Sequence, residues 1–226
     1  GMMYGTIFLN SLLPVLTTAI EKKDQKKVEW LTGKGFELLF WFGLAIALFG
    51  YSYAYEITRL ISSSEFITTT VMWYSTVDAM RIVIWIFLFY FVSSLSTYIM
   101  IARGEQSRMM WINGSIAIVN IIGNLLVIPW YSFIGSAWVT LVTQILLMII
   151  TWWYVRDTIH IKKSIFFVFF MSIISLISLW VSKYSITILN IQDMNLKSIV
   201  LRFIIAGIVF VFIYLIGWWL IRKKTI

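Results

Sequence analysis

Residues Ile199–Ile221 read IVLRFIIAGIVFVFIYLIGWWLI, and Arg202 is the sole charge among them. At 1.5 Å per residue such a run makes a helix of about 35 Å, enough to cross a hydrocarbon core of about 30 Å. It is apolar almost all round, as a helix with lipid at its sides must be. It also lacks the alternation over roughly ten residues that a membrane barrel strand would show.

Working outward from this run, similar stretches bounded by charge clusters fall at about 3–20, 35–53, 73–101, 109–129, 133–155, 164–182 and 198–221. Composition agrees. The chain has 226 residues, 61% of them hydrophobic and 12% charged, against about 45–50% and about 25% in soluble domains. Its mean hydropathy is +0.90. The expected fold is an all-α, polytopic membrane helix bundle of about seven transmembrane helices. A soluble multidomain enzyme, a disordered tail and a nucleic-acid-binding module are excluded despite a pI of 9.7, so the net charge of +8 is read against a membrane surface. With no cysteine and one histidine, disulfide scaffolds, thiolate sites and histidine-rich metal centres drop out. No metal site and no cofactor are expected.

The 18 basic residues divide unevenly between alternate connections. Lys22, Lys23, Lys26, Lys27, Lys34, Arg103, Arg108, Arg156, Lys162, Lys163, Arg222, Lys223 and Lys224 lie on one side; Arg59, Arg81, Lys183, Lys197 and Arg202 lie on the other. Short loops rich in Lys and Arg stay cytoplasmic, so the C-terminus is expected inside and, after seven crossings, the N-terminus outside. A chain that starts outside without a signal peptide reads as the continuation of earlier helices. A Gly1 left ahead of Met2 by cloning is the other reading. Within the basic stretch 21–34, Val28, Trp30 and Leu31 stand among charges, as in an amphipathic elbow lying on the inner leaflet and drawn to anionic lipid. Trp130, Tyr131, Trp152, Trp153, Tyr154, Trp218 and Trp219 fall at span ends, where an interfacial belt is expected.

Charges in the middle of a span usually mark pathways, so depth decides which matter. Asp78 and Arg81 are three residues apart on one helical face. Counting back from Ile101 puts Arg81 about 30 Å away, near the outer boundary. That suits an outer-rim ion pair, or a gate or headgroup contact. Glu37, a turn beyond Lys34, is placed near the inner surface, and His160 among Arg156, Lys162 and Lys163 in an inner loop. Asn113-Gly114-Ser115 matches a glycosylation acceptor but falls at the inner start of a span, where it carries no such role.

Neutral polar groups do reach mid-depth. Asn120 and Gln144 each lie about 12 residues from the Pro129–Phe133 turn, so they share a depth and could form a helix-packing amide clasp or line a cavity. Pro14 removes the N–H that the Asn10 carbonyl would otherwise accept from. A kink beside Asn10 could open onto a polar cavity or serve packing alone.

Several stretches, in order, resemble the C-terminal half of a polysaccharide flippase, the lipid-linked oligosaccharide branch of the multidrug/oligosaccharidyl-lipid/polysaccharide exporter superfamily. These are Leu12-Leu13-Pro14-Val15-Leu16 before the charged elbow, Ile101-Ala102-Arg103-Gly104 at an inner turn, and Asn113, Asn120 and Asn124 in the next helix. Ile128-Pro129 and Ile134-Gly135-Ser136-Ala137 follow at the hairpin. The resemblance spans about residues 8–155. It implies that residues 1–155 form a second-lobe-like bundle with its elbow at 21–34, that 156–226 add two C-terminal helices, and that the chain supplies roughly the eighth to fourteenth of fourteen helices. Where the family often has a Leu-x-Gly-x-x-Tyr-like outer turn, this chain reads Leu60-Ile61-Ser62-Ser63-Ser64-Glu65-Phe66.

The function that the resemblance implies is transbilayer export of undecaprenyl-pyrophosphate-linked oligosaccharide in the cell membrane, by alternating access and without an enzymatic step. Asn10, Pro14, Asp78 and Arg81 are then the candidates to face the substrate cavity. The expected partners are membrane lipids, the lipid-linked oligosaccharide and the missing N-terminal half of the same transporter, with no nucleic acid. A drug or lipid exporter of the same superfamily is the alternative. A membrane-embedded glycosyl- or acyltransferase would call for a carboxylate or histidine cluster that this sequence does not offer, and a non-transporting scaffold fits composition but not the motifs.

Overall fold

The computed structural model describes residues 2–62, 75–159, 164–189 and 196–224. Every regular element among them is an α-helix: α1 (Met2–Glu21), α2 (Gln25–Ser52), α3 (Ala54–Ile61), α4 (Thr76–Val83), α5 (Trp85–Ala102), α6 (Gln106–Val155), α7 (Ser164–Ile188) and α8 (Leu196–Lys224). Only Ile84 separates α4 from α5, and together they make one apolar crossing, Thr76–Ala102. The 50 residues of α6 fold back at Ser132, where φ is 51° and ψ is −141°. Pro129 loosens the ladder just ahead of this point by withdrawing one N–H.

The two arms of α6, 106–131 and 133–155, run antiparallel and touch closely. A Cβ on Gly123 would come within 2.8 Å of Val139 Cγ1, and one on Gly135 within 2.9 Å of Tyr131 Cβ. At about 39 and 35 Å each arm is long enough to span a bilayer. Among the described residues five helical stretches are long and apolar enough to cross a membrane, α2, α4–α5, α6, α7 and α8; α6, folded back on itself, accounts for two of the seven crossings expected, and α1 is a shorter apolar helix.

The molecule is an all-α polytopic membrane bundle with α2 at its centre. One face of α2 packs with α1 and α5 through Leu39, Leu16, Leu95 and Ile99. Gly43 allows this: a Cβ there would sit 3.0 Å from the backbone Cα of Leu88, which cannot give way. The other face of α2 meets α7 and α8 through Phe49, Met171, Ala206 and Phe210. Polar ties reinforce this second seam. The Tyr214 hydroxyl donates to the Trp41 carbonyl at 2.8 Å while the two rings stack. Ser182 donates to the Ala206 carbonyl at 3.0 Å, which leaves the buried Tyr53 hydroxyl to donate to Ser182 at 2.7 Å.

The basic stretch 21–34 is not a separate surface helix. α1 ends at Glu21, Lys23 turns the chain at φ 55°, and the Asp24 side chain caps the next helix by accepting from the Lys27 N–H at 3.1 Å. From Gln25 a single helix runs to Ser52. Val28 and Leu31 are buried and Trp30 is uncovered, so the amphipathy is present, but as the first turns of a membrane-crossing helix about 42 Å long.

Candidate functional site

In this bundle, "exposed" means not covered by this chain. Leu9, Leu12, Leu16 and Ala19, three or four residues apart, turn one face of α1 into the core. The same periodicity leaves Ile7, Asn10, Ser11, Pro14, Val15 and Thr18 uncovered on the opposite face. Three of these six carry polar side chains in the body of an apolar helix, and beside lipid an uncovered polar face is expensive unless something polar meets it.

Asn10 stands 11 residues before Glu21, about 16 Å along the helix from its basic end. Its side-chain oxygen accepts from the Tyr98 hydroxyl of α5 at 2.6 Å, so its amide nitrogen remains available to donate. Pro14 offers no N–H to the Asn10 carbonyl, one turn back. Ser11 and Thr18 turn their hydroxyls back onto the carbonyls of Ile7 and Pro14, at 3.0 and 2.9 Å, and such back-bonding favours a bend. The result is a narrow edge of amide and hydroxyl groups that can bind a polar ligand by hydrogen bonding.

Asp78 and Arg81 are not brought to this edge. They lie in α4, which packs on α2, α3, α5 and α6. Asp78 accepts from the Ser75 N–H at 2.9 Å and from its hydroxyl at 3.0 Å, closing a capping box at the helix start. Its 3.5 Å ion pair with Arg81 is nearly half exposed on both partners, and Arg81 also lies 6.0 Å from the Tyr51 ring centroid.

The Asn120–Gln144 clasp does not form. Asn120 donates instead to Thr143 Oγ1 at 2.9 Å, and Gln144 donates to Ser93 Oγ on α5 at 2.8 Å. Successive residues of a helix point about 100° apart, so only one of 143 and 144 can face the opposite arm. Asn124 joins the cluster by donating to Asn120 Oδ1 at 3.0 Å, and its own Oδ1 is buried without a donor. At the basic end, Glu37 pairs with Lys34 at 2.7 Å and accepts from Ser164, at the start of α7, at 3.1 Å. Among the described residues no group of His, Cys, Asp and Glu could hold a metal. His160 and Ser63–Phe66 of the outer turn lie outside the described residues.

The Ile101–Gly104 turn was noted in sequence only as a motif; the structure makes it a clasp. Gly104, at φ 76°, reverses the chain after α5. Arg103 then reaches across to the Tyr154 carbonyl and the Thr158 hydroxyl, both at 3.2 Å, and pairs with Glu105 at 2.9 Å. This fastens the turn to the far end of the hairpin.

The arrangement is that of a polytopic membrane bundle whose first helix leaves a polar edge uncovered. The MatE family profile matches residues 1–126, from α1 well into the first arm of α6. The chain belongs to the MatE family, membrane transporters of the multidrug/oligosaccharidyl-lipid/polysaccharide exporter superfamily. No curated protein matches it. Family members are transporters, not enzymes, and α7 and α8 lie beyond the matched residues.

Proposed function

We propose that the chain is part of an exporter that carries undecaprenyl-pyrophosphate-linked oligosaccharide across the cell membrane for surface polysaccharide synthesis. The observation that carries this reading is the uncovered polar edge of α1, Asn10 to Thr18, held by Tyr98 and joined to no reactive group. Sugar hydroxyls are suited to it, since each both donates and accepts, and the Asn10 amide and carbonyl offer both roles. The opposing wall of the cavity is supplied by a facing lobe. Rocking of the two lobes opens the edge first to one leaflet and then to the other, with no bond made or broken. The carboxylates of the described residues stand near helix ends or, for Glu37, beside the start of α7. A mid-membrane acidic residue in the facing lobe would instead favour cation-coupled drug export by a member of the same superfamily.

The excess of Lys and Arg puts the elbow, the Arg103 turn and the C-terminus in the cytoplasm. In this cysteine-free chain, Ser62→Cys should react with an impermeant thiol reagent added outside and Ser107→Cys should not. The substrate reading is tested by placing a photoreactive side chain at Ser11 or at Ile118, which is uncovered on α6. A polyprenyl-pyrophosphate saccharide adduct at Ser11 alone supports the proposal. No adduct at Ser11, or equal adducts at both positions, refutes it.

A further inference from the structure

Helix α5 carries a second polar stripe. From Tyr90 to Ala102 the positions that the bundle leaves partly uncovered are Tyr90, Ser94, Thr97, Tyr98 and Ile101, and every other side chain in that stretch is buried. At about 100° per residue, these five fall within about 100° of the helix circumference and form one face. Four of the five end in a hydroxyl. The face is joined to the α1 edge, because Tyr98 donates to Asn10 Oδ1 at 2.6 Å. From Tyr98 to Tyr90 it runs about 12 Å along the crossing, away from the basic Arg103 turn.

Ser93 and Ser94 show how sharply the face is set. Both hydroxyls donate to the Tyr90 carbonyl, at 3.0 and 2.7 Å. Ser93 is buried and accepts from Gln144 of α6, whereas Ser94 lies on the stripe. Having given its proton to a carbonyl, the Ser94 oxygen can still accept, and so can the oxygen of Tyr98. The neighbouring Asn10 amide nitrogen donates.

We infer that this stripe is a saccharide subsite, in which Tyr90, Ser94 and Tyr98 of α5 contact the sugars that also meet Asn10 of α1. A sugar hydroxyl donates to the Ser94 or Tyr98 oxygen and accepts from the Asn10 amide. The tyrosine rings offer an apolar surface to the C–H faces of the sugar. A polyprenyl tail in the same place would leave these acceptors unmet inside the membrane. The inference rests on the reading of α1 as the substrate-facing helix, and adds α5 as the second row of contacts that selects the saccharide.

The test places a photoreactive side chain at Thr97, at Ser11 or at Ile118 of the transporter in native membranes. Two probes are supplied, undecaprenyl-pyrophosphate oligosaccharide and sugar-free undecaprenyl phosphate. Thr97 should take the oligosaccharide probe severalfold more than Ile118 does, and severalfold more than it takes the sugar-free probe. Adding Ser94→Ala should lower the Thr97 adduct per copy about fivefold, the scale of one hydrogen bond. Ser93→Ala, which loses the same bond to the Tyr90 carbonyl, should not. An adduct at Ser11 with none at Thr97 would overturn the α5 subsite and leave the α1 reading standing. An adduct at Thr97 with none at Ser11 would retain the subsite and overturn the α1 reading. Equal labelling of Thr97 by the two probes, or equal losses in Ser93→Ala and Ser94→Ala, would overturn the subsite.

Discussion

The Tyr98 hydroxyl donates to the Asn10 side-chain oxygen at 2.6 Å, tying α5 to α1 at the one face of α1 that its own bundle leaves uncovered. The bond sets which half of the Asn10 amide is free, and it is the donor half. Tyr98→Phe would release Asn10 while removing a single oxygen. Stability should fall by about 0.6 kcal/mol, the average for such bonds in a membrane. Transport per molecule should change more than protein abundance does. Abundance by immunoblot beside surface polysaccharide in the same cells separates the two.

The hairpin of α6 depends on Asn120 meeting Thr143. A double-mutant cycle of Asn120→Leu and Thr143→Val in a detergent unfolding assay should show a coupling of about 0.5–1 kcal/mol. The cycle of Asn120→Leu with Gln144→Leu should be closer to additive, because Gln144 is bonded to Ser93 on another helix. Equal coupling in the two cycles would contradict the assigned pairing.

Gly43 sets how near α2 approaches α5. Gly43→Leu would press a side chain against the backbone at Leu88, with an overpacking cost of about 1–3 kcal/mol. Gly114→Leu meets open space and should cost a few tenths of that at most. Thermal unfolding of the two variants side by side checks the contrast.

Tyr53 is buried and its hydroxyl meets Ser182 of α7 at 2.7 Å. Tyr53→Phe should lose about 1 kcal/mol, read as a lower midpoint in thermal unfolding beside wild type.

The long apolar helices, α2, α4–α5, α6, α7 and α8, were legible because lipid demands long apolar runs, and those runs stand out whatever the helices pack against. Counting residues from the Pro129–Phe133 turn paired Asn120 with Gln144, one residue from the Thr143 that it meets. Azimuth was not legible, since choosing Thr143 over Gln144 requires knowing which side of the second arm faces the first and which faces α5. The elbow misled for a local reason. Its charges and apolar residues do alternate as on a surface helix, but Asp24 caps Lys27 and sets Gln25 as the first residue of a long helix. The Arg103 clasp was out of reach, because Tyr154 and Thr158 lie 51 and 55 residues away in sequence.

The reading of α1 as the substrate-facing helix is tested most directly by surface polysaccharide delivered per copy of the transporter in its native cell, comparing Asn10→Leu with Asn120→Leu. Asn10→Leu should lower delivery severalfold at unchanged membrane abundance, since it removes the free donor from the uncovered edge while leaving the buried face of α1 intact. Asn120→Leu should act, if at all, through abundance, because its amide serves the hairpin. Wild-type delivery per copy from Asn10→Leu would contradict the assignment of that edge to the substrate.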